Sequence, residues 1–520
     1  MRPFLLYLFG KNVSKHIRTN NKKKAIYNKF AHTNLLIFLC IMIKILYDSI
    51  KGTTMNKKII KIFILLFIIV FFAWVLKWIH HEFGRINFDE IAIVLNSGIG
   101  GTDSKILWSF VRKVILRSVF YAALGTFICH RFKYKRNILL LVFGCYTTFM
   151  IIQIAIRNVQ FGSFFNFTKS NFYETEYVDP ETANIQWPQK RNVLIIALES
   201  IEKVYGDQEK FGEVLTPYIT ELEHKNVSFE NYHSISGLSH TIAAITGFVS
   251  GLPLFYTSYR NTDKMTGAYG IGKILNRAGY QTWSIFPASG NFSKKESFMY
   301  NMGFDHVIDG EKIYAELKNP PKQRPFKGVD DGVLFEWSKP LLSNIIKSKQ
   351  PYFIFMETIN THLEGFFTDY CRNMGFKQET MQDITKCDDK IIYDFVKWFR
   401  NADPTAVIIL LNDHKQHSGP LMKKLNTITD RPLANVFINA KIFDGADLHR
   451  PVSAMDFFPT MLESAGAKID GCKLALGVSL SARCKATKTL RERFPDKELR
   501  TKMEQKNDLY YELATGKDKK

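Results

Sequence analysis

The chain is short of acid. Its 520 residues carry 70 Lys and Arg against 49 Asp and Glu, a formal charge of +21. An excess of that size suits either nucleic acid or anionic lipid. No recognisable nucleic-acid motif is present, and no internal repeat. Long apolar runs are missing after residue 160, whereas the first 160 residues are rich in them. Much of the basic excess flanks those runs or sits at the chain ends, so a membrane accounts for it with fewer assumptions. Hydrophobic content, at 46%, is ordinary for a globular protein, and the length allows two or three domains.

Cysteine is also scarce, with seven in all. Cys40, Cys129 and Cys145 lie in apolar segments and read as small hydrophobes. Cys371, Cys387, Cys472 and Cys484 form two close pairs in the soluble part. That spacing suits two disulfides, Cys371–Cys387 and Cys472–Cys484, in an oxidising compartment. A zinc site built from all four is the competing reading, but the spacings are wrong for paired knuckles.

Three segments are long enough to span a bilayer: Ile59–Ile79, Ile106–Cys129 and Ile138–Ile156. Arg112, Lys113 and Arg117 make the first half of the second one polar. Lys57 and Lys58 precede the first span, and the loop HRFKYKRN separates the second from the third. Cytoplasmic loops favour Lys and Arg, so three spans place everything after residue 160 outside the cytoplasm. Leu35–Tyr47 is apolar but short, and Lys44 interrupts it. Residues 1–54 read as a basic leader or upstream extension, with a fourth span as the alternative. The expected organisation is then a membrane anchor over 55–160, a connector over 161–190, a catalytic domain over 191–485 and a charged tail over 486–520. The tail is expected to be a solvated helix or frayed.

From residue 192 strand and helix patterns alternate. Val193–Leu198, Thr282–Phe286, Tyr352–Glu357, Ala406–Leu411 and Leu433–Ile438 read as buried strands. Thr241–Ser250, Ile271–Ala278, Gly332–Ser348 and Lys390–Asn401 read as helices. This predicts an α/β domain with a mostly parallel sheet covered by helices on both faces.

Two of the strands end on chemistry. NVLIIALES delivers Glu199, and VIILLNDH delivers Asp413 and His414. In open α/β sheets ligands sit at the carboxyl ends of strands, and carboxylates with imidazole are ligands for Zn²⁺ or Mn²⁺. Between them, GLSHTIAAITGFVSGLPL places Thr241 at the start of an apolar helix. A hydroxyl there faces the positive end of a helix dipole, and a nearby metal would make it a nucleophile. An N-cap role is the plain alternative, and Ser239 and His240 are neighbours that compete for the chemistry. A third strand leads to Thr361 and His362, and His362 is a candidate general acid or anion ligand.

Taken together, ALES, the threonine segment, N-T-H and N-D-H, in this order, resemble the alkaline phosphatase/sulfatase superfamily. Within it the segments ESIE, HTIAAITGFVSGLPLF, MGFDHVID and LGVSLS are similar to those of the membrane-bound phosphoglycerol transferases of osmoregulated periplasmic glucans. The likeness covers roughly residues 190 to 482. It implies a multi-pass protein of the bacterial inner membrane, with its catalytic domain on the periplasmic side. It implies one divalent metal, Mn²⁺ or Zn²⁺, on Glu199, Thr241, Asp413 and His414. Thr241 would take a phosphoglycerol group from phosphatidylglycerol and pass it to a glycan, with His362 binding or protonating the phosphate. The C/S-x-P-x-R pattern of sulfate ester hydrolases is missing from residues 237–250. Related lipoteichoic acid synthases hold glycerol phosphate with an aromatic and a basic residue after a G-N motif. GNFSKKESF offers Asn291, Lys294 and Lys295 there, without a Trp–Arg match. Phosphoethanolamine transfer and a non-catalytic sulfatase-like membrane protein are the alternative readings.

Overall fold

The computed structural model describes residues 57–83, 86–87 and 108–132, short stretches between 138 and 160, and 168–516 save 256–264 and 363–364. The segment 35–47 and the rest of the leader lie outside the described residues, as does Cys40. Chain contacts divide the protein into two units, residues 1–70 with 118–145 and residues 71–117 with 146–520.

Helix α1 (Lys57–Phe83) contains the apolar stretch Ile59–Ile79, of mean hydropathy 3.1. Among the described residues it is the one helix long and apolar enough to cross a membrane. The second expected span is helical from residue 108 but is interrupted near its start by a π-helical turn, Val111–Ile115, carrying Arg112 and Lys113. It continues as α2 (Leu116–Arg131). The third expected span is described only in pieces. Cys129 is buried and Cys145 exposed.

The catalytic-domain elements follow in chain order: β1 (Val193–Leu198), α3 (Pro217–Lys225), α4 (Thr241–Ser250), α5 (Ile271–Arg277), β2 (Gln281–Ile285), α6 (Lys295–Asn301) and β3 (His306–Ile308). Then come α7 (Asp331–Lys347), β4 (Tyr352–Glu357), α8 (Met381–Ala402), β5 (Val407–Asn412), β6 (Asn435–Ile438) and α9 (Phe457–Ser464). Two further helices are α10 (Asp496–Glu504) and α11 (Asp508–Thr515), and shorter helices and two-residue strands lie between these main elements.

Six strands make one sheet in the order β3-β2-β4-β1-β5-β6. All neighbours are parallel except β5 and β6. Every residue of β1, β4 and β5 is buried, because both faces of the sheet are covered. Alternate residues serve opposite cores. Ile195, Phe355 and Ile409 pack with α4, α5 and α9, whereas Ile196, Met356 and Leu410 pack with α3, α7 and α8. Each such apolar side chain contributes about 1.5–3 kcal/mol on burial.

Three sequence expectations need correction. The helix expected to start at Lys390 starts at Met381, where Thr380 caps it by accepting the Asp383 amide. The strand β3 was not anticipated, since three residues are too short to show a period. The described part of the tail, residues 486–516, is neither solvated nor frayed. Leu490, Leu499, Met503, Tyr510 and Leu513 are buried in the α4-side core, so this segment belongs to the catalytic domain.

Disulfides join Cys371 to Cys387 and Cys472 to Cys484, each with Cα atoms 5.6 Å apart. The first ties a short helix, Asp369–Asn373, to α8.

Candidate active site

Glu199, Asp413 and His414 meet at the carboxyl ends of β1 and β5. These are adjacent parallel strands with Leu198 opposite Asn412. Burial on both faces fixes the strands, and the parallel register brings their tips side by side. The Asp413 amide donates to Leu198 O at 3.0 Å, which carries the ladder one residue further. Candidate ligand atoms of the three residues all lie within 4.8 Å of one another, and all three side chains are buried.

The threonine arrives from above. Helix α4 begins at Thr241 and ends on Gly251, whose φ of +65° supplies the left-handed cap that a glycine adopts without strain. Thr241 Oγ1 sits 3.3 Å from Glu199 Oε2 and 3.2 Å from His414 Nε2. His414 Nδ1 is 2.9 Å from Lys415 O, an acceptor, so Nδ1 carries a proton and Nε2 is the nitrogen turned to Glu199, Asp413 and Thr241, free to give up its own proton to a metal. That is the orientation a metal-binding imidazole needs.

Backbone and side-chain hydrogen bonds hold this arrangement. The Glu199 amide donates to Thr358 Oγ1 at 2.9 Å, and Thr361 Oγ1 donates to Glu199 O at 2.5 Å. Ser200 has a φ of 55°, a left-handed conformation uncommon outside glycine. There its amide reaches Asp413 Oδ1 at 3.0 Å, and its hydroxyl reaches Glu199 Oε1 at 2.8 Å.

The site is electrostatically crowded. Burial, and then the neighbouring Glu199 carboxylate, push the Asp413 carboxyl up to about 6. Burial and the adjacent His414 push His240 and His417 down to about 3, so both are neutral at physiological pH. His417 stacks on His414 with centroids 5.0 Å apart, and its Nε2–H donates to Ser239 O at 2.6 Å. Two buried carboxylates and an imidazole, converging on one point, are the donor set of a divalent metal.

His362 lies on the loop after β4, half-buried and edge-on to Phe326 at 4.6 Å. Thr361 links this loop directly to Glu199. Asp331 holds the loop from the other side, accepting the Ile359 and Asn360 amides at 2.8 and 2.7 Å. The three headgroup candidates fare differently. Asn291 is exposed, Lys294 is half-buried in a left-handed conformation, and Lys295 is buried in an ion pair with Glu357.

Glu357 was missed by the sequence reading, although the signal was there. VLIIALE, YFIFME and VIILLND are three buried runs that each end on an acid. His417 carries no pattern that marks it in one sequence.

Comparison with known proteins agrees with the fold. The sulfatase family model matches residues 191–467, over half of the 520, and the chain belongs to that family. Phosphoglycerol transferase I of Escherichia fergusonii is 28% identical over 254 residues, which are 46% of this chain and 32% of that protein. Phosphoglycerol transferase I of Citrobacter koseri is 27% identical over 252 residues, 45% of this chain and 32% of its own. The match thus spans about a third of the length of these curated relatives. Among solved structures, an alkaline phosphatase superfamily protein from Vibrio parahaemolyticus aligns with a TM-score of 0.46 and 19% identity, covering 57% of this chain and 74% of that one. The lipoteichoic acid synthase LtaP of Listeria monocytogenes gives 0.44 and 16%, covering 62% and 80%.

Proposed function

We propose that this protein is a membrane-anchored, metal-dependent transferase that moves phosphoglycerol from phosphatidylglycerol to a glycan through a phosphothreonine at Thr241. The observation that carries the reading is the placement of Thr241 Oγ1, within 3.3 Å of both Glu199 Oε2 and His414 Nε2, at the N-terminus of a buried helix. The curated relatives named phosphoglycerol transferase I support the choice of group.

Glu199, Asp413 and His414, with the Thr241 hydroxyl, would hold one divalent ion, Mn²⁺ or Zn²⁺. When bound, such an ion lowers the pKa of the hydroxyl and offsets charge on phosphate oxygens. Thr241, its proton lost to solvent, attacks the lipid phosphorus. The new Oγ–phosphorus bond forms as the bond to the diacylglycerol oxygen breaks, and His362 gives that oxygen a proton. An acceptor hydroxyl then attacks the same phosphorus and gives its proton to His362, and the Oγ–phosphorus bond breaks. Asn291 and Lys294 stand at the headgroup side as ligands for the glycerol phosphate.

Helix α1 supports an anchor, which keeps the site near lipid headgroups. We read the chain as multi-pass in the bacterial inner membrane with this domain in the periplasm. The two disulfides fit that compartment.

Intact mass spectrometry of the full chain in detergent, incubated with Mn²⁺ and phosphatidylglycerol, tests this reading. Nucleophilic catalysis predicts an adduct of about 154 Da on a Thr241 peptide. An adduct of about 123 Da from phosphatidylethanolamine alone would move the activity to phosphoethanolamine transfer. No adduct from either lipid, with metal bound, would overturn it.

A further inference from the structure

Glu199 and Asp413 are not the only acids at this edge of the sheet. Val193, Ile195 and Ala197 of β1, Phe353 and Phe355 of β4, and Val407, Ile409 and Leu411 of β5 all face the α4-side core. Continuing the same alternation puts Glu199, Glu357 and Asp413 on that side, at the tips of three adjacent parallel strands. The register agrees, since Ala197 lies opposite both Glu357 and Leu411. The Thr358 amide donates to Ala197 O at 3.0 Å, so the β1–β4 ladder runs on to the tip as well.

The third carboxylate differs from the other two in its company. Glu357 is 2% exposed and pairs through Oε2 with the ammonium of Lys295, itself 4% exposed. The ammonium also lies 5.2 Å from the centre of the Phe286 ring, which closes it off from water. Glu357 Oε1 is buried and makes no hydrogen bond among the described residues. The negative charges of Asp413 and Glu199 both act on Glu357.

We propose that Lys295, anchored by Glu357, takes the place of a second divalent ion and keeps this site to one metal. The inference rests on the metal reading of Glu199, Asp413 and His414. Three buried carboxylates with one divalent ion leave one negative charge uncompensated, which a low-dielectric site does not tolerate. One ammonium brings the balance to neutrality. Neighbouring carboxylate clusters elsewhere recruit two ions about 3.5–4 Å apart. Here a covalently tethered cation does that work, and no chelator removes it.

The test counts metal and uses no lipid, so it stands apart from the transfer reaction. The full chain in detergent is stripped with chelator, loaded with Mn²⁺ alone and freed of excess. Metal per chain is measured by plasma mass spectrometry, ion–ion coupling by electron paramagnetic resonance, and folding by the melting temperature. The wild type should hold one equivalent with an uncoupled signal. Lys295→Met should hold two with a coupled signal, and Lys295→Met with Glu357→Gln should return to one. A folded Lys295→Met protein that keeps one uncoupled equivalent at wild-type affinity overturns the proposal. Should Lys295→Met not fold, Glu357→Gln decides. It leaves the ammonium without its carboxylate partner, so its charge opposes a cation at the neighbouring strand tips and Mn²⁺ affinity should fall roughly tenfold. Unchanged affinity in that variant overturns the proposal equally.

Discussion

Arg431 grips Glu202 with both arms of its guanidinium, Nε 2.7 Å from Oε2 and Nη2 2.5 Å from Oε1. The carboxylate is fully buried and also accepts the Gln416 amide at 2.9 Å. Glu202 follows Glu199 by three residues, and Gln416 follows His414 by two. The pair therefore fixes the strand end carrying Glu199 against the loop carrying Asp413 and His414, the proposed metal ligands. Glu202→Ala should cost about 3–5 kcal/mol, because it strands a largely buried guanidinium. It should also weaken Mn²⁺ binding by roughly 10–100-fold, the usual effect of losing a residue that orients a ligand. Urea unfolding and a metal titration measure the two effects. Wild-type stability in the alanine variant would contradict the assignment.

Thr241 and Asp413 should separate chemistry from metal retention. Thr241→Ala removes the nucleophile but leaves Glu199, Asp413 and His414 in place. It should abolish the lipid-derived adduct and retain most of the bound metal. Asp413→Ala should lose both. The two readouts are intact mass and metal content, and an adduct surviving in Thr241→Ala would refute the role given to the hydroxyl.

The loop that carries His362 should respond to pH. Asp331 accepts two of its amides, and the Asn360 side chain donates to Asp388 Oδ1 at 3.1 Å. Burial raises both acids, Asp331 to about 7; Asp331 further opposes ionisation of Asp388, whose hydrogen bond in turn favours the Asp331 carboxylate. A raised carboxyl binds a proton in the folded chain that the unfolded chain has released. Its stabilising contribution is complete below the unfolded value near 4 and is lost as pH rises toward 7. Asp388→Asn supplies a permanent donor to Asp331 and removes the need for that proton. The wild type should lose stability relative to Asp388→Asn across pH 4 to 7, by at most about 1.4 kcal/mol per pH unit. Parallel melting curves for the two proteins over that range would refute this.

The Cys371–Cys387 bond closes a loop of 16 residues next to the His362 segment. Replacing both cysteines with alanine should cost about 3 kcal/mol, since the unfolded chain regains its freedom. A melting temperature insensitive both to this change and to reductant would show that the bond contributes nothing.

How much of this was legible in the sequence depended on burial. The strands Val193–Leu198 and Tyr352–Glu357 and the helix Thr241–Ser250 were readable to the residue, because unbroken apolar runs end abruptly on polar ones. The same contrast marked Glu199, Asp413 and His414. It also marked Glu357, but a carboxylate counts as part of a site only once its neighbours in space are known. Register supplies those neighbours, and one chain does not show its register. Strand β6 read as a strand, yet its antiparallel direction follows from the connection after Asp413 rather than from its own residues. The conformation of Ser200 was illegible for another reason, since its left-handed backbone is imposed by the two tips it joins.

The last helices close the domain onto its first residues. The Ser170 amide donates to Lys506 O at 3.0 Å, Asn507 Nδ2 to Ser170 O at 2.7 Å, and the Tyr173 hydroxyl to Met503 O at 3.1 Å. Tyr510 packs on Tyr173 and donates its hydroxyl proton to Pro253 O at 3.0 Å, just beyond the nucleophile helix. A ribosome that has synthesised everything through His414 has therefore made every proposed metal ligand without making a finished domain. The helices that close the domain are made only after those residues, so translation order delays the settling of the helix that carries Thr241 until they emerge.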